Sequence, residues 1–342
     1  MSSFTGRRLE RARASKQYHG GRFHNTSNIG PSVTGSMAPI LADFFFGGRR
    51  RTPRVALPVE NPAPGWRTPP ASGFRVTWFG HSTLLFEMDG VRVLTDPHFG
   101  KRASPFFFTG RTRFHPPPAR IEELPPLDLV LLSHDHYDHL NTPSIRELAK
   151  LDVPFVTSLG VGVRLENLGV KPKLITELDW WESHEVRGGA MKITATPAQH
   201  FSGRGISDRN ATLWSSWVLG TTNHNVFFSA DTGLTDELSD IGKRLGPFDL
   251  TLLEIGAWNA AWSHIHLGPA NAMRAFEMLG GGTLMPIHWS TFDLALHVWD
   301  EPAETLVGLA EQSGARVLTP LLGKPIEPKR EDTPVRWWRN LK

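Results

Sequence analysis

Short runs of apolar residues bounded by turn-forming residues dominate the chain from residue 74 onward, a pattern typical of β-strands. The clearest case is the pair of runs at 84–88 and 91–94, which flank Asp89-Gly90. This dipeptide accepts the positive φ angles of a two-residue type I′ turn. The sequence therefore predicts a β-hairpin over residues 84–94.

Seven further apolar runs are predicted strands, and four segments between them fit helices. The strands are residues 127–132, 154–157, 191–196, 226–229, 250–255, 283–287 and 316–318; the helices are residues 142–151, 161–168, 269–279 and 302–312. The early strands form hairpins, whereas the later ones alternate with helices. This order predicts an α+β domain with two mixed β-sheets flanked by helices.

Glycine and proline interrupt residues 1–72 too often for long regular elements. We therefore expect an N-terminal extension over residues 1–72 and a single domain over residues 73–342. The apolar stretch 37–46 is followed by three arginines. Insertion into a membrane interface, docking in a partner's groove and packing on the body remain alternatives for it.

The composition limits which metal ligands and nucleophiles the protein can use. The 342 residues contain no cysteine, which excludes disulfides, thiolate metal sites and a cysteine nucleophile. Imidazole and carboxylate are the strong metal ligands that remain. No apolar run approaches the roughly 20 residues of a membrane-spanning helix.

Positive charge is concentrated near the N-terminus, where residues 1–55 carry ten Lys or Arg against Glu10 and Asp43. A basic arm on an acidic body suits an anionic surface such as phospholipid head groups; a solvated, partly disordered terminus is the alternative. Arg7-Arg8 is not followed by the apolar region of a signal peptide. We expect a cytoplasmic protein with peripheral membrane contact through this extension and no nucleic-acid partner; the oligomeric state stays open, a homodimer included.

The octet at residues 133–140, Ser-His-Asp-His-Tyr-Asp-His-Leu, directly follows a predicted strand. Positions two apart in an extended segment face the same side, so His134 and His136 can hold one metal ion together. The turn that follows directs Asp138 and His139 toward a second. A solvated His/Asp-rich loop is the weaker interpretation.

Other candidate ligands stand where later strands end. His200 follows the strand 191–196, Asp231 follows 226–229 and His288 follows 283–287. Strand ends along one sheet edge form a rigid rim for functional groups. Together with the octet, these positions predict one metal centre.

These residues resemble the metallo-β-lactamase superfamily, through the H-x-H-x-D-H run, the later histidine, Asp-Thr-Gly and the final histidine. Longer motifs are similar to the zinc phospholipases D that hydrolyse N-acylphosphatidylethanolamines, over residues 74–320. They are LTDP at 94–97, RASP at 102–105, ELDWW at 177–181, LWSSW at 213–217, IGKRLGPFDL at 241–250 and IHWSTF at 287–292. The resemblance implies an αββα four-layer sandwich and a phospholipase D-like hydrolase of such phospholipids.

The resemblance also implies the ligand set. One Zn²⁺ would be bound by His134, His136 and His200, the other by Asp138, His139 and His288, with Asp231 bridging them. A hydroxide shared by the two ions would be the nucleophile. Zinc is preferred because imidazoles outnumber carboxylates, although Mn²⁺ or Fe²⁺ suits the same ligands.

Five further residues are candidates near this centre. Asp96 and Asp135 would accept the remaining N–H groups of ligand imidazoles, and Asp135 stands where the resembling family leads us to expect Asn. His81 would support the site, and Tyr137 would contact substrate. By resemblance, His266 would contact the leaving group or protonate it. For Asp135, Tyr137 and His266 a purely structural role is the alternative.

Two other functions remain open. The first keeps the metals but acts on a lactone or a small phosphate ester, since residues 80–83 and 95–97 also resemble a lactonase branch of the superfamily. The second is a non-catalytic, metal-stabilised scaffold at anionic membranes. The segment 201–209, rich in Gly and Ser, would help shape the substrate pocket.

Overall fold

The computed structural model describes residues 5–27, 42, 46, 51–104, 109–205, 207–331 and 335–341. The strands are β1 (Tyr18–His19), β2 (Arg22–Phe23), β3 (Phe74–Gly80), β4 (Thr83–Met88), β5 (Val91–Thr95), β6 (Arg102–Ala103), β7 (Arg111–Thr112), β8 (Leu129–Leu132), β9 (Phe155–Ser158), β10 (Ile175–Leu178), β11 (Ser183–Val186), β12 (Met191–Thr196), β13 (Ser216–Gly220), β14 (Asn225–Phe228), β15 (Leu250–Glu254), β16 (Thr283–Ile287), β17 (Arg316–Val317) and β18 (Pro325–Ile326). The helices are α1 (Gly6–Ala14), α2 (Thr142–Leu148), α3 (Gly162–Asn167), α4 (Glu237–Leu245), α5 (Gly268–Met278) and α6 (Glu301–Ser313).

Two seven-stranded sheets form the body. The first has the order β10-β9-β8-β5-β4-β3-β18 and the second the order β11-β12-β13-β14-β15-β16-β17. Both are mixed: β5, β8, β9 and β10 run parallel, as do β14 to β17, whereas the remaining pairs are antiparallel. The predicted pair of mixed sheets is confirmed.

Strand β4 shows why the sheets stack face to face. Leu84, Phe86 and Met88 belong to the core cluster shared with the second sheet, whereas Leu85 belongs to the cluster beneath α2 and α3. Because alternate side chains of a strand point to opposite faces, a strand buried on both faces must have a layer on each side. Helices α4, α5 and α6 cover the second sheet, so the predicted αββα sandwich is confirmed.

The predicted hairpin is also present. Met88 pairs with Val91 across the turn, and Asp89 and Gly90 have φ angles of 48° and 82°. These values are those of a type I′ turn. The other predicted strands and helices occur within a few residues of their expected bounds. The body elements that were not predicted are β3, β6, β7, β10, β11, β13, β18 and α4.

Residues 5–27 are more ordered than the sequence predicts. Helix α1 occupies nine residues of a region in which we expected no long regular element. Phe23 is buried with Trp180 and Trp214 of the body, and Arg8 forms ion pairs with Glu166 and Glu177. Part of the basic charge near the N-terminus is therefore used for packing within the chain.

The apolar stretch 37–46 lies outside the described residues, apart from Ala42 and Phe46. Among the helices of the described ranges, none has both the length and the apolar character that spanning a bilayer requires.

Candidate metal centre

The carboxyl ends of several strands meet at one edge of the sandwich. In the first sheet, β5 and β8 run parallel and end before Asp96 and the octet. In the second, β14, β15 and β16 run parallel, and Asp231 and His288 follow their ends. This topology places residues from distant parts of the chain at a common edge.

The first donor group contains His134, His136, His200 and Asp231. His136 Nδ1 lies 2.9 Å from His134 Nε2 and 3.3 Å from His200 Nε2. Asp231 Oδ2 lies 3.9 Å from His134 Nε2 and 3.6 Å from His200 Nε2. Four donor atoms thus converge on one small volume.

The second donor group contains His81, Asp138, His139 and His288, again with Asp231 beside them. His139 Nε2 lies 3.3 Å from His288 Nε2, and these nitrogens lie 3.6 and 3.5 Å from Asp138 Oδ2. Asp231 approaches with both oxygens: Oδ2 is 3.1 Å from His139 Nε2 and Oδ1 is 3.0 Å from His288 Nε2. Asp231 therefore contacts both groups.

These spacings fit metal coordination. Ligand atoms at about 2.0–2.1 Å from a tetrahedral Zn²⁺ are about 3.3 Å apart, and the donor atoms within each group are 2.9–3.9 Å apart. All seven sequence-predicted ligands are brought together. His136 and Asp138 are partly exposed, whereas the other five are buried, so the centre opens on the side of these two residues.

Hydrogen bonds fix the orientation of three imidazoles. Ser133 Oγ donates to Asp96 Oδ2 at 2.7 Å, so it accepts from His134 Nδ1 at 2.9 Å. His139 Nδ1 donates to Asp96 Oδ2 at 2.8 Å, and His200 Nδ1 donates to the carbonyl of Ile265 at 2.9 Å. In each ring Nδ1 is the nitrogen that donates to the protein, so Nε2 is the nitrogen that can face a metal.

Burial lowers the pKa of His134, His136 and His200, so these imidazoles stay neutral, the form that binds metals.

In the second donor group the pKa values of His139 and His288 are raised rather than lowered. Burial lowers the pKa of His139 and His288, but Asp231 and Asp138 outweigh it; the pKa of His139 lies well above its usual value and that of His288 rises to about 9. Burial likewise raises the pKa of Asp138 and Asp231, and the neighbouring imidazoles lower both to well below the usual range. The carboxylates therefore stay ionised and available to a cation.

The backbone at this edge is strained. His81, Asp96, Ala230 and His288 have φ angles of 54°, 35°, 48° and 62°. Residues with a side chain rarely adopt such values, and they persist where the surrounding structure imposes them, often at functional sites. Each lies directly after a strand or two residues beyond it, so the turns that place the donor groups are held by the sheets.

One predicted role is wrong. Asp135 contacts no ligand imidazole: its Oδ1 accepts from the backbone N of Gly203 at 2.8 Å and its Oδ2 from Arg164 Nε at 3.1 Å. Because His134 and His136 face the centre, the residue between them points to the opposite side. Asp135 instead connects the octet to the segment that follows His200.

The other candidates lie around the centre. His81 Nε2 is 2.9 Å from Asp138 Oδ2. The Tyr137 hydroxyl donates to the carbonyl of Arg204 at 3.0 Å, and the Arg204 guanidinium lies over the Tyr137 ring, so this contact agrees with the structural alternative. The Phe201 ring packs 4.5 Å from that of His136.

His266 lies between the two groups, with its ring 5.1 Å from that of His200 and 5.4 Å from that of His288. Its Nδ1 is 3.1 Å from Oε1 of Glu254, a fully buried residue that our sequence analysis did not single out. A signal existed, because Glu254 ends β15 just as the turns with Asp231 and His288 follow β14 and β16. Asn25, which contacts the backbone of His200, gave no such signal.

Comparison with known proteins agrees with this geometry. The family described as Beta-lactamase superfamily domain matches residues 91–289. An uncharacterized protein of Mycobacterium tuberculosis is 45% identical over 295 residues, which are 85% of this chain and 78% of that protein. The N-acyl-phosphatidylethanolamine-hydrolyzing phospholipase D 1 of Caenorhabditis elegans is 37% identical over 252 residues, 70% of either chain.

Among solved structures, the isothiocyanate hydrolase from Delia radicum gut bacteria is similar with a TM-score of 0.59 at 19% identity, over 74% of this chain and 98% of that one. At this identity the similarity shows the fold. The extent of the family match and the identity of the relatives together show that this chain belongs to the beta-lactamase superfamily and is a metal-dependent hydrolase.

Proposed function

We propose that this protein is a dinuclear zinc hydrolase that cleaves the phosphodiester of an N-acylphosphatidylethanolamine-type phospholipid, with the regiochemistry of a phospholipase D. The observation that carries the proposal is the pair of adjoining donor groups in contact with Asp231. The substrate class is supported by the similarity to the Caenorhabditis elegans phospholipase D.

The donor chemistry favours zinc. Five of the seven predicted ligands are imidazoles and two are carboxylates, and Zn²⁺ accepts imidazole readily whereas Mg²⁺ prefers oxygen ligands. His134, His136 and His200 would hold one ion, and Asp138, His139 and His288 the other, with Asp231 shared between them. Two divalent cations there would supply Lewis-acid charge for activating water and for neutralising negative charge on a phosphodiester.

The residues of the chain have separate tasks. Asp96 and Ser133 keep the Nδ1 protons of His139 and His134 in place, so the Nε2 atoms of these rings remain oriented toward the centre. Glu254 occupies His266 Nδ1, which leaves Nε2 as the nitrogen that can meet the substrate. The ring of Phe201 beside His136 gives the open side an apolar wall.

The test is hydrolysis of a defined lipid. Purified protein loaded with Zn²⁺ is incubated with N-acylphosphatidylethanolamine in mixed micelles, and release of phosphatidic acid and N-acylethanolamine is followed by mass spectrometry. We expect release that EDTA abolishes and Zn²⁺ restores. Asp231→Asn should remove it, whereas Asp240→Asn, a matched change at an exposed position of α4, should not.

Two outcomes would contradict the proposal. Hydrolysis of a lactone panel or of bis(p-nitrophenyl) phosphate without lipid cleavage would assign the centre to small esters. Full occupancy by two zinc ions without any hydrolysis would point to a metal-stabilised scaffold.

A further inference from the structure

The segment of residues 5–27 reaches the metal centre through Asn25. Asn25 Nδ2 donates to the carbonyl of His200 at 2.9 Å, and its Oδ1 accepts from the backbone N of His200 at 3.1 Å. We propose that Asn25 is a positioning residue for His200 and thereby holds the three-histidine half of the centre in a geometry that binds metal. This inference rests on the proposed dinuclear function.

The contact compensates for a missing strand. Strand β12 ends at Thr196, and His200 lies four residues beyond it with 1% of its surface exposed. A buried peptide group needs partners for both its N–H and its C=O. The amide of an asparagine offers one donor and one acceptor side by side, so Asn25 pairs with His200 as a neighbouring strand would.

Asn25 is itself held on several sides. Trp214 Nε1 donates to Asn25 Oδ1 at 3.1 Å and to the carbonyl of Ala198 at 2.9 Å. Two residues further on, Ser27 Oγ donates to Gln199 Oε1 at 2.8 Å. The asparagine therefore belongs to a hydrogen-bonded set that fixes residues 198–200 rather than to a mobile tail.

The same segment also binds the far end of the loop that follows His200. Phe23 N donates to the carbonyl of Asn210 at 2.9 Å, and Phe23 is fully buried. Arg22 donates to the carbonyls of Arg209 and Ser207 at 2.6 and 2.9 Å. Contacts at both ends of the loop mean that residues 22–27 determine where its backbone runs.

The consequence for the ligand is geometric. The His200 ring is tied at Nδ1 to Ile265, but the position of Nε2 also depends on where the backbone of His200 sits. Residues that orient metal ligands typically affect metal affinity by about 10–100-fold when they are changed. Loss of Asn25 should therefore lower the affinity of the site beside His134 and His136 for its ion. The site beside Asp138 and His288 should keep its affinity.

The experiment is a competition titration of full-length protein with Zn²⁺ and a chromophoric chelator, which resolves two affinities. We expect Asn25→Ala to weaken one of the two by about 10–100-fold, with the same pattern as His136→Ala and unlike Asp138→Ala. Asn25→Asp, which keeps the acceptor but faces the carbonyl of His200 with a second oxygen, should do the same. Lys16→Ala, at an exposed position of the same segment, should leave both affinities within about twofold of wild type. The visible absorption of the Co²⁺-loaded protein should change in the Asn25 variants and stay unchanged in Lys16→Ala.

Each result decides between the hypotheses. If wild type binds two ions and Asn25→Ala and Asn25→Asp bind them equally well, the positioning role is wrong while the dinuclear centre stands. If both affinities fall together with the melting temperature, Asn25 supports the fold and not His200 in particular. If wild type binds fewer than two ions, the proposed function fails first.

Discussion

Glu254 Oε1 lies 3.1 Å from His266 Nδ1 and 2.7 Å from the backbone N of Leu267, so a single buried oxygen fixes both the ring and the entry to α5. Burial raises the pKa of Glu254, while the neighbouring His266 opposes this. The carboxyl group thus sets the direction in which His266 presents Nε2 to Asp231 and His288.

Glu254→Gln keeps an acceptor for His266 and Leu267 but removes the charge. Under the proposed function, we expect both metal ions to remain bound and kcat for lipid hydrolysis to fall about tenfold, with a smaller change in KM. Glu277→Gln, an exposed position on α5, is the control. Equal kcat in the two variants would show that Glu254 has no role through His266.

Asp231 contacts both donor groups, whereas His136 belongs to one. Under the proposed dinuclear function, Asp231→Asn should weaken the affinity for both metal ions, and His136→Ala should weaken the affinity for one of them, by about tenfold or more each. Circular dichroism should show that both variants keep their fold. Metal analysis after gel filtration measures the outcome. If the Asp231→Asn protein is active and retains two ions, Asp231 is not a ligand shared by both ions.

Gly256 leaves room for the backbone of His288. A Cβ on Gly256 would lie 2.1 Å from the carbonyl oxygen of His288. Gly256→Ala should therefore displace His288 and lower the free energy of unfolding by about 1–3 kcal/mol. It should also lower the affinity for the ion beside His288. Gly308→Ala, in α6 with no atom near the added methyl group, should be neutral or slightly stabilising. A Gly256→Ala protein with wild-type melting temperature and metal content would contradict the expected clash.

Removing metal should destabilise the fold. A ligand at 100 times its dissociation constant stabilises the native state by about 2.7 kcal/mol, which for a domain of this size corresponds to a shift in Tm on the order of 5 °C. We expect EDTA to lower Tm by at least that amount and Zn²⁺, but not Mg²⁺, to restore it. Differential scanning calorimetry is the measurement, and an unchanged Tm would argue against a bound ion.

His115 should make stability depend on pH. Burial, with a smaller contribution from Arg113, lowers its pKa to about 3. In the unfolded chain His115 has a pKa of about 6.5, so below that pH it binds a proton there while the buried imidazole of the native state remains neutral. Stability from this group is therefore lost as the pH falls from about 6.5 toward 3.

The measurement is urea unfolding of wild type and His115→Gln at pH 7.5 and 5.5. The stability advantage of wild type over the variant should shrink by about 1 kcal/mol between these pH values. Because the other histidines titrate equally in both proteins, the difference isolates His115. A gap that stays constant would mean that His115 has the same pKa in the native and the unfolded state, contrary to the effect of its burial.

The candidate ligands outside the octet could be predicted because they follow a rule readable along the chain, whereas their division between two ions came from the family resemblance. Parallel strands end at one edge, so polar residues directly after apolar runs, such as Asp231 and His288, meet there. A related signal marks Glu254, which is a carboxylate inside the predicted apolar run 250–255 and close to its end. The rule fails for Asn25, whose partner is 175 residues away and which no periodicity marks.

Helix α4 could not be predicted from the sequence for a different reason. Its central Gly242 lowers helix propensity, and the sequence did not predict a helix. In the fold, a Cβ on Gly242 would lie 2.8 Å from the carbonyl oxygen of Met278 and 2.9 Å from Cα of Leu279. Glycine is thus suited to a close approach between α4 and the end of α5, a tertiary contact that overrides local preference.

The seven donor side chains are divided between the two sheets: His134, His136, Asp138 and His139 follow β8, whereas His200, Asp231 and His288 follow strands of the second sheet. Neither half alone contains a complete donor group, since Asp231 or His288 must be supplied from across the interface. Any cation held there cross-links the halves, so fluctuations that slide one sheet over the other would have to rupture coordination bonds. Activity that depends on such a cation therefore requires that the two sheets are packed correctly against each other.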